Sequence, residues 1–303
     1  MLMRAVDAYL ALRRAAGFQL RNTEYLLRDY ARFADKQGET HVRAETALTW
    51  AALGAPGNRG RRMKPLILFA QHIRAEDHLH EVPPEVPFGP APERRLPYIL
   101  SVEDLGRLLH EAGRLGPPKS LRPKMYRMLF GLIAACGLRI SEALNLRMDD
   151  LTRDGLIIRH TKFRKSRIVP MHETTHTELE RYLDHRKRVG GVDDHIFISL
   201  RGTVIKYPTV NATFLALVRG LGLHPGPGKE GPRIHDLRHG FAVRALESCP
   251  TDQQAISRHM LALATYMGHA NIKHTYWYLQ TTPLLMTDIA DACRAFWEEG
   301  DQS

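Results

Sequence analysis

Cysteine is scarce in this chain. Cys136, Cys249 and Cys293 are the only three, they lie far apart, and they form neither a C-x-x-C pair nor an even framework. That excludes a disulfide-stapled scaffold and reads as buried thiols in a reducing compartment. Long apolar runs are missing as well. No segment reaches the roughly 18 uninterrupted apolar residues that a membrane span needs, and arginines break up the amino-terminal MLMRAVDAYLALRRAAG. The expectation is an intracellular protein, neither secreted nor anchored. There is no G-x-x-x-x-G-K-[ST] loop and no G-x-G-x-x-G fingerprint, so nucleotide hydrolysis and dinucleotide redox chemistry have no handle. HPGPGKEGP, residues 224–232, is glycine-rich, but its prolines suit a connector better than a phosphate cradle. His235 and His239 are four apart, yet they enclose Asp-Leu-Arg and lack the glutamate of H-E-x-x-H. No metal and no cofactor is expected. Nor is there an internal repeat.

What the chain has is positive charge. Lys and Arg outnumber Asp and Glu by 43 to 33, a formal net charge of +10. This favours an anionic partner, nucleic acid first, with an incidentally basic enzyme as the alternative. With 303 residues, 44% of them hydrophobic and 25% charged, the chain can build one or two cores and is not wholesale disordered.

The first 80 residues read as helices. In NTEYLLRDYARFADKQG, Asn22 is placed to cap a helix whose Leu26, Tyr30, Phe33 and Ala34 share a face, and Gly38 to end it. RRMKPLILFAQHI puts Leu66, Phe69 and Ile73 on one stripe. A small helical bundle follows. Ahead of that stripe GNRGRRMK, residues 57–64, carries Arg59, Arg61, Arg62 and Lys64; it reads as a phosphate-facing loop or as a solvated turn. VPPEVPFGPAPERRLP then holds six prolines between Val82 and Pro97 with no periodicity, the mark of a linker. The expected organisation is a helical domain over 1–85, a linker over 86–98 and a second domain over 99–303. In the second domain Ser101 caps SVEDLGRLL, and MYRMLFGLIAACG repeats Met125, Met128, Leu129, Leu132, Ile133 and Cys136 at core spacing before Gly137. GLIIRH and SRIVPM read as two strands joined by the basic tip TKFRK. Helical patterns return over 174–189, over 210–220 and after Ile234. The fold class is therefore mainly α with a small β-sheet.

Four passages carry candidate chemistry: CGLRISEALNL with Arg139, TKFRKSRIVP with Lys162, HDLRH with His235 and Arg238, and MGHANIKHTYWY with His269, Tyr276 and Tyr278. Each alone has a plain reading: an arginine satisfying carbonyls, a wet hairpin lysine, one histidine among 16. Together they suit substitution at a phosphodiester. Arg139 and Arg238 offer guanidinium forks for non-bridging oxygens. Lys162 can protonate a leaving 5′ oxygen. His235 stands three residues before Arg238 and so shares its helix face. His269 adds a hydrogen bond, and a tyrosine supplies the nucleophile, storing the broken bond's energy as an aryl phosphate.

Taken in order, these passages resemble the catalytic domain of the tyrosine recombinases, the phage integrase family, over about residues 99–280. The resemblance implies an N-terminal helical core-binding bundle followed by an α/β catalytic domain, closing on double-stranded DNA. It implies metal-independent DNA recombination or integration through a 3′-phosphotyrosyl intermediate. Arg139 then corresponds to the first arginine of the phosphate clamp, His235 and Arg238 to the H-x-x-R pair, His269 to the second histidine, Lys162 to the general acid of the hairpin and Tyr278 to the nucleophile. Tyr276 is the rival tyrosine, turned about 200° away on a helix. Arg59, Arg61, Arg62, Lys64, Arg164, Lys165 and Arg167 are candidate phosphate contacts. Thr161, Lys162 and Phe163 depart from the family's frequent G-K-G, and SCPTDQQAISRHM makes the stretch before His269 longer than in compact members. The terminal LQTTPLLMTDIADACRAFWEEG has an apolar face of Leu284, Leu285, Ile289, Ala292, Phe296 and Trp297. It packs on its own domain or serves as an exchange helix on a neighbouring protomer. The implied assembly is a homotetramer, a pair of dimers on DNA, alone or with related recombinases, in the bacterial cytoplasm and on the nucleoid, as in recombinases of mobile elements. Three alternatives stay open: a type IB topoisomerase, an inactive architectural DNA-binding protein and a metal-dependent nuclease.

Overall fold

The computed structural model describes residues 1–85, 95–159, 166–189, 193–224, 226, 230–248, 253–268, 271 and 273–279. The chain divides into two compact units, Met1–Arg95 and Leu96–Ser303. No helix among the described residues is long and apolar enough to cross a membrane.

Unit 1 is built from helices α1 (Leu2–Ala15), α2 (Arg21–Lys36), α3 (Ala44–Ala52) and α4 (Arg59–Arg74). Leu26, Leu27, Tyr30 and Ala34 of α2 meet Leu66, Phe69 and Ile73 of α4 in one core that also takes in Trp50. Phe33 lies at its margin. The start of α2 differs from the expectation: Leu20, at φ +49°, is the residue before the first turn, and Asn22 lies inside the helix without capping it. The segment 57–64 also differs. Only Pro56–Asn58 forms a 3-10 turn, and Arg59 to Lys64 are the opening turns of α4. A glycine such as Gly60 costs a helix about 1 kcal/mol, which burial of Met63, Leu66 and Ile67 offsets. The chain beyond α4 folds back: Glu81 N donates to Val42 O at 2.9 Å, and the Glu81 carboxylate accepts from Ala44 N at 2.8 Å, covering the first amide of α3.

Unit 2 is mainly helical with a three-stranded antiparallel sheet. Its order is α5 (Val102–Ala112), α6 (Leu121–Cys136), α7 (Ile140–Leu144), β1 (Leu151–Thr152), β2 (Gly155–Ile158), β3 (Arg167–Val169), α8 (Glu173–Val189), α9 (Tyr207–Gly220), α10 (Ile234–Glu247), α11 (Gln253–Met267) and α12 (Lys273–Leu279). Ser101 Oγ accepts from Asp104 N at 3.0 Å and so caps α5, while the Asp104 carboxylate turns to Arg107. Helix α6 is the central pillar, with Leu129, Phe130, Leu132 and Ile133 all buried and α5, α8 and α10 packed around it. Strands β2 and β3 pair as the sequence suggests, Leu156 opposite Val169 and Ile158 opposite Arg167. Strand β1, two residues long, adds to the other edge of β2. The hairpin tip TKFRK lies outside the described residues. A second cluster joins Ala242, Val243 and Leu246 of α10, Met260, Leu263 and Met267 of α11, and Tyr278 of α12. Burial pushes the Cys136 thiol up to about 12, which leaves it inert at neutral pH; Cys249 and Cys293 lie outside the described residues.

Candidate active site

An α-helix ends with carbonyls that have no partner in the helix and with the negative end of its dipole. At the end of α11 three arginines take three successive carbonyls. Arg167 Nε donates to Tyr266 O at 2.9 Å, Arg238 Nη2 to Met267 O at 2.8 Å, and Arg139 Nη2 to Gly268 O at 2.9 Å. Three guanidiniums gathered this closely repel one another unless an anion stands among them. Glu142 is that anion. Its oxygens accept from Arg167 at 3.0 and 2.9 Å and from Arg139 Nη1 at 2.7 Å, and Arg238 Nη1 lies 4.0 Å away. The same carboxylate accepts from Arg139 N at 2.9 Å, closing the first turn of α7. Burial pushes the Glu142 carboxyl up, but Arg167 and Arg139 outweigh it and hold the group at about 2.

Arg238 is 1% exposed and donates a second bond, at 2.5 Å, to Gly137 O at the end of α6. Burial and then the nearby Arg139 lower it to about 10, and it stays cationic at neutral pH. Gly137 and Gly268, whose carbonyls accept these bonds, both have positive φ, +60° and +65°. A Cβ on Gly137 would meet the Phe241 ring at 2.4 Å, and one on Gly268 would meet Arg167 at 2.9 Å. Arg139 is only partly covered, with a third of its side chain open to solvent. Its remaining N–H groups can address an incoming anion.

Helix α10 begins with HDLRH. Asp236 is fully buried and accepts from Arg233 N at 2.8 Å, which fixes the start of the helix. His235 and His239 are then one turn apart with ring centroids 4.4 Å apart, edge to face. They point to different surroundings: His235 is solvent-exposed, and His239 is 5% exposed. The protein packed around His235, and next the Arg238 charge, push its pKa down to about 4; solvent access to the ring limits that depression. His239 Nδ1 lies 2.9 Å from the Tyr278 hydroxyl, with the rings of Trp277 and Tyr278 against it. Tyr278 is 2% exposed and Tyr276, two residues earlier, is 50% exposed.

The structure therefore brings Arg139, His235, Arg238 and Tyr278 into one region of unit 2, with Arg167 among them. Arg167 is held by Glu142 and Tyr266 O rather than displayed at the surface. Lys162, Arg164, Lys165 and His269 lie outside the described residues, as does the terminal segment with its proposed exchange helix. In unit 1, Arg61 and Lys64 are exposed one turn apart on α4. Arg59 donates to Gly54 O at 3.3 Å, and Arg62 is stacked 4.2 Å over Trp50 while pairing with Asp29 at 3.1 Å. Two residues escaped the sequence reading. Glu142 was visible only as the fourth residue of RISE, in the place of a capping-box carboxylate. His239 stands in HDLRH, where its spacing from His235 suggests a zinc ligand and nothing nearby in the sequence points to a tyrosine partner.

Two further groups lie close enough to share an ion: His41 with Asp77 and His80, and Asp193 with Asp194 and His195. His80 Nδ1 accepts the Val42 amide proton at 3.0 Å, so the neutral ring carries its hydrogen on Nε2 and offers no second lone pair. In the other group Asp193 Oδ1 accepts from His195 N at 2.9 Å and also meets the His195 ring.

Residues 99–284 match the model of the phage integrase family. The putative integrase/recombinase y4rB of Sinorhizobium fredii is 37% identical, with 97% of this chain and 98% of that protein covered. The tyrosine recombinase XerD of Brucella abortus is 28% identical, with 78% of this chain and 76% of that protein covered. Among solved structures, the Tn1549 transposon integrase, determined with transposon right-end DNA, superposes with a TM-score of 0.64 at 18% identity, over 94% of this chain and 99% of that one. The XerA recombinase superposes with a TM-score of 0.53 at 20% identity, over 97% of each chain.

Proposed function

Because the chain belongs to the phage integrase family, and so to the enzymes that cut and rejoin DNA by tyrosine-recombinase chemistry, we propose that it is a site-specific recombinase whose nucleophile is Tyr278. Unit 1 and unit 2 both bind double-stranded DNA, largely through phosphate contacts, and binding is therefore salt-sensitive. Arg59, Arg61, Arg62 and Lys64 are the proposed contacts in unit 1, with Arg164 and Lys165 at the hairpin tip. Tyr278 attacks the scissile phosphate, leaving a 3′-phosphotyrosyl bond and a free 5′ hydroxyl. Arg139 and Arg238 stabilise charge on the non-bridging oxygens, His235 and His269 add hydrogen bonds, and Lys162 protonates the leaving oxygen. A 5′ hydroxyl from a partner duplex then attacks the phosphotyrosine, so strands are exchanged with no metal and no consumed cofactor. The enzyme works as a homotetramer, two dimers on DNA, in the bacterial cytoplasm.

The observation that carries this reading is the pairing of a buried Tyr278 hydroxyl with a histidine on the helix that also supplies His235 and Arg238. Tyr276, half exposed on α12 two residues before Tyr278, has no such setting. Covalent trapping tests it: nicked duplexes from the DNA flanking the gene are incubated with the protein, denatured and resolved on a gel. The expected adduct survives EDTA and Tyr276→Phe and disappears in Tyr278→Phe. Loss of the adduct in Tyr276→Phe alone would move the nucleophile to Tyr276, and loss in EDTA would point to metal-dependent cleavage. Relaxation of plasmids that lack any special site would favour a topoisomerase.

A further inference from the structure

We infer that His239 is a further catalytic residue: its Nδ1 receives the phenol proton of Tyr278 as the tyrosine oxygen bonds to phosphorus, and returns that proton when the strand is resealed. This rests on Tyr278 being the nucleophile, and it assigns a group that the nucleophile needs and that Arg139, Arg238 and Lys162 do not supply.

A phenol is a weak nucleophile while it keeps its proton at neutral pH, so the proton must leave as the new bond forms. The acceptor must stand within hydrogen-bond reach of the oxygen, and His239 Nδ1 stands 2.9 Å away. The two histidines of HDLRH divide the work. His235 faces solvent, where a phosphate arrives, while His239 faces inward and touches the phenol. The edge-to-face contact between their rings holds His239 from one side, and Trp277 holds it from another. His235, whose pKa the surrounding protein and the Arg238 charge hold below its ordinary value, is neutral at neutral pH and sets no positive charge against its neighbour, so His239 can accept one.

The step balances. In cleavage the bond from the Tyr278 oxygen to phosphorus forms, the bond from phosphorus to the 5′ oxygen breaks, the phenol proton moves to His239, and the 5′ oxygen takes a proton from Lys162. In resealing a 5′ hydroxyl attacks phosphorus and gives its proton to Lys162. The phosphotyrosyl bond breaks, and the His239 imidazolium reprotonates the phenolate.

The test uses the full chain on a nicked duplex that the unmodified protein converts to an adduct. In His239→Asn the amide occupies the position of Nδ1 and keeps a hydrogen bond to the phenol, but it cannot take a proton. The adduct should form at least about 100-fold more slowly, within the range of general base catalysis, with DNA affinity unchanged. Replacing Tyr278 by 3,5-difluorotyrosine, a more acidic phenol that needs less help in losing its proton, should return at least about tenfold of that loss. The same replacement should change the parent rate far less. A histidine that only packs the helix predicts no such return, so a slow variant indifferent to fluorination overturns the proposal, as does a variant that cleaves at the parent rate. If His239→Asn fails to fold, His239→Gln, whose longer amide stands nearer the place of Nε2, likewise removes the base, and the return of rate on fluorination is read in that variant instead. Adduct formation by Tyr278→Phe would instead overturn the assignment of the nucleophile.

Discussion

Among the described residues two pairs of histidine rings meet, and the two meetings differ in what stands beside them. In unit 1 the rings of His41 and His80 are 4.8 Å apart with Asp77 alongside. In unit 2 the rings of His235 and His239 are 4.4 Å apart with Tyr278 alongside. Both settings depress a histidine: His80 by burial and then by His41, His235 by the surrounding protein and then by Arg238. A perturbed titration is thus common to both and does not separate them. Their partners do. In unit 1 the polar atoms close on the local fold: His80 on the Val42 amide, Asp77 on the Leu79 amide at 2.9 Å, and His41 on Thr40 at 2.8 Å. In unit 2 the inner histidine touches a phenol, and the helix that carries it also carries Arg238. The first arrangement fastens the end of a bundle, and the second presents reactive groups.

The contrast is broken most severely at Arg238. Lysine keeps the charge but cannot reach Gly137 O and Met267 O with one rigid fork. Arg238→Lys should slow adduct formation by about 100- to 1000-fold, the usual cost of one well-placed donor to a developing anion. DNA binding at low salt should hold. The readout is a single-turnover trapping rate at saturating DNA, with affinity measured separately. A rate within threefold of the parent would mean that Arg238 only fastens the end of α11.

Glu142 sharpens the contrast from the other side, since it holds the cations of unit 2 together. Glu142→Gln removes an anion that three guanidiniums face, and breaking a buried pair of this kind costs about 3 kcal/mol. Urea unfolding of unit 2 should shift accordingly, and the cleavage rate should fall less than in Arg238→Lys. The pH dependence has a fixed sign. Glu142 is held at about 2 in the folded chain against an ordinary value of 4.5. Its contribution is therefore full above about pH 4.5 and is lost as pH falls from there towards 2. The parent should lose stability across that window more steeply than Glu142→Gln. Parallel curves would remove Glu142 from the centre of the cluster.

How much of this was legible follows from the range of each interaction. The stripe of α6, the Ser101 cap and the β2–β3 pairing depend on residues a few positions apart, and the spacing of the apolar positions displays them. Asn22 misled because it is a good cap in the abstract, whereas the turn at Leu20 sets where α2 begins. Strand β1 has two residues and exists only through β2. Arg59 to Lys64 look like a loop when the glycines are read alone, but they are helical because the apolar residues after them need burial. The role of Glu142 could not be read locally. Arg167 is 25 positions away in the chain, Arg238 is farther still, and the shared anchor is a row of backbone carbonyls at 266–268. His239 was in view but lacked a partner until α12 brought Tyr278 to it.

The smallest expected effect on cleavage lies at the unit 1 pair. His80 is 6% exposed, and its Nδ1 is the acceptor for the Val42 amide beside the Glu81–Val42 backbone bond. His80→Ala leaves that amide without its acceptor, which should cost about 1–3 kcal/mol of unit 1 stability. The pH dependence should change as well. His80 has its pKa lowered on folding, with His41, Asp77 and Arg43 as the charged or titratable groups acting on it. It therefore contributes stability in full above its ordinary 6.5 that is lost as pH falls below that value. The alanine variant should be flatter over this acid limb. Its trapping rate on saturating DNA should equal the parent's, because the hydrogen-bond and ring partners of His80 all belong to unit 1 and none is a reacting group. A drop beyond tenfold in that rate, with affinity and folding intact, would show that this pair serves the reaction too, and the distinction drawn between the two histidine pairs would fail.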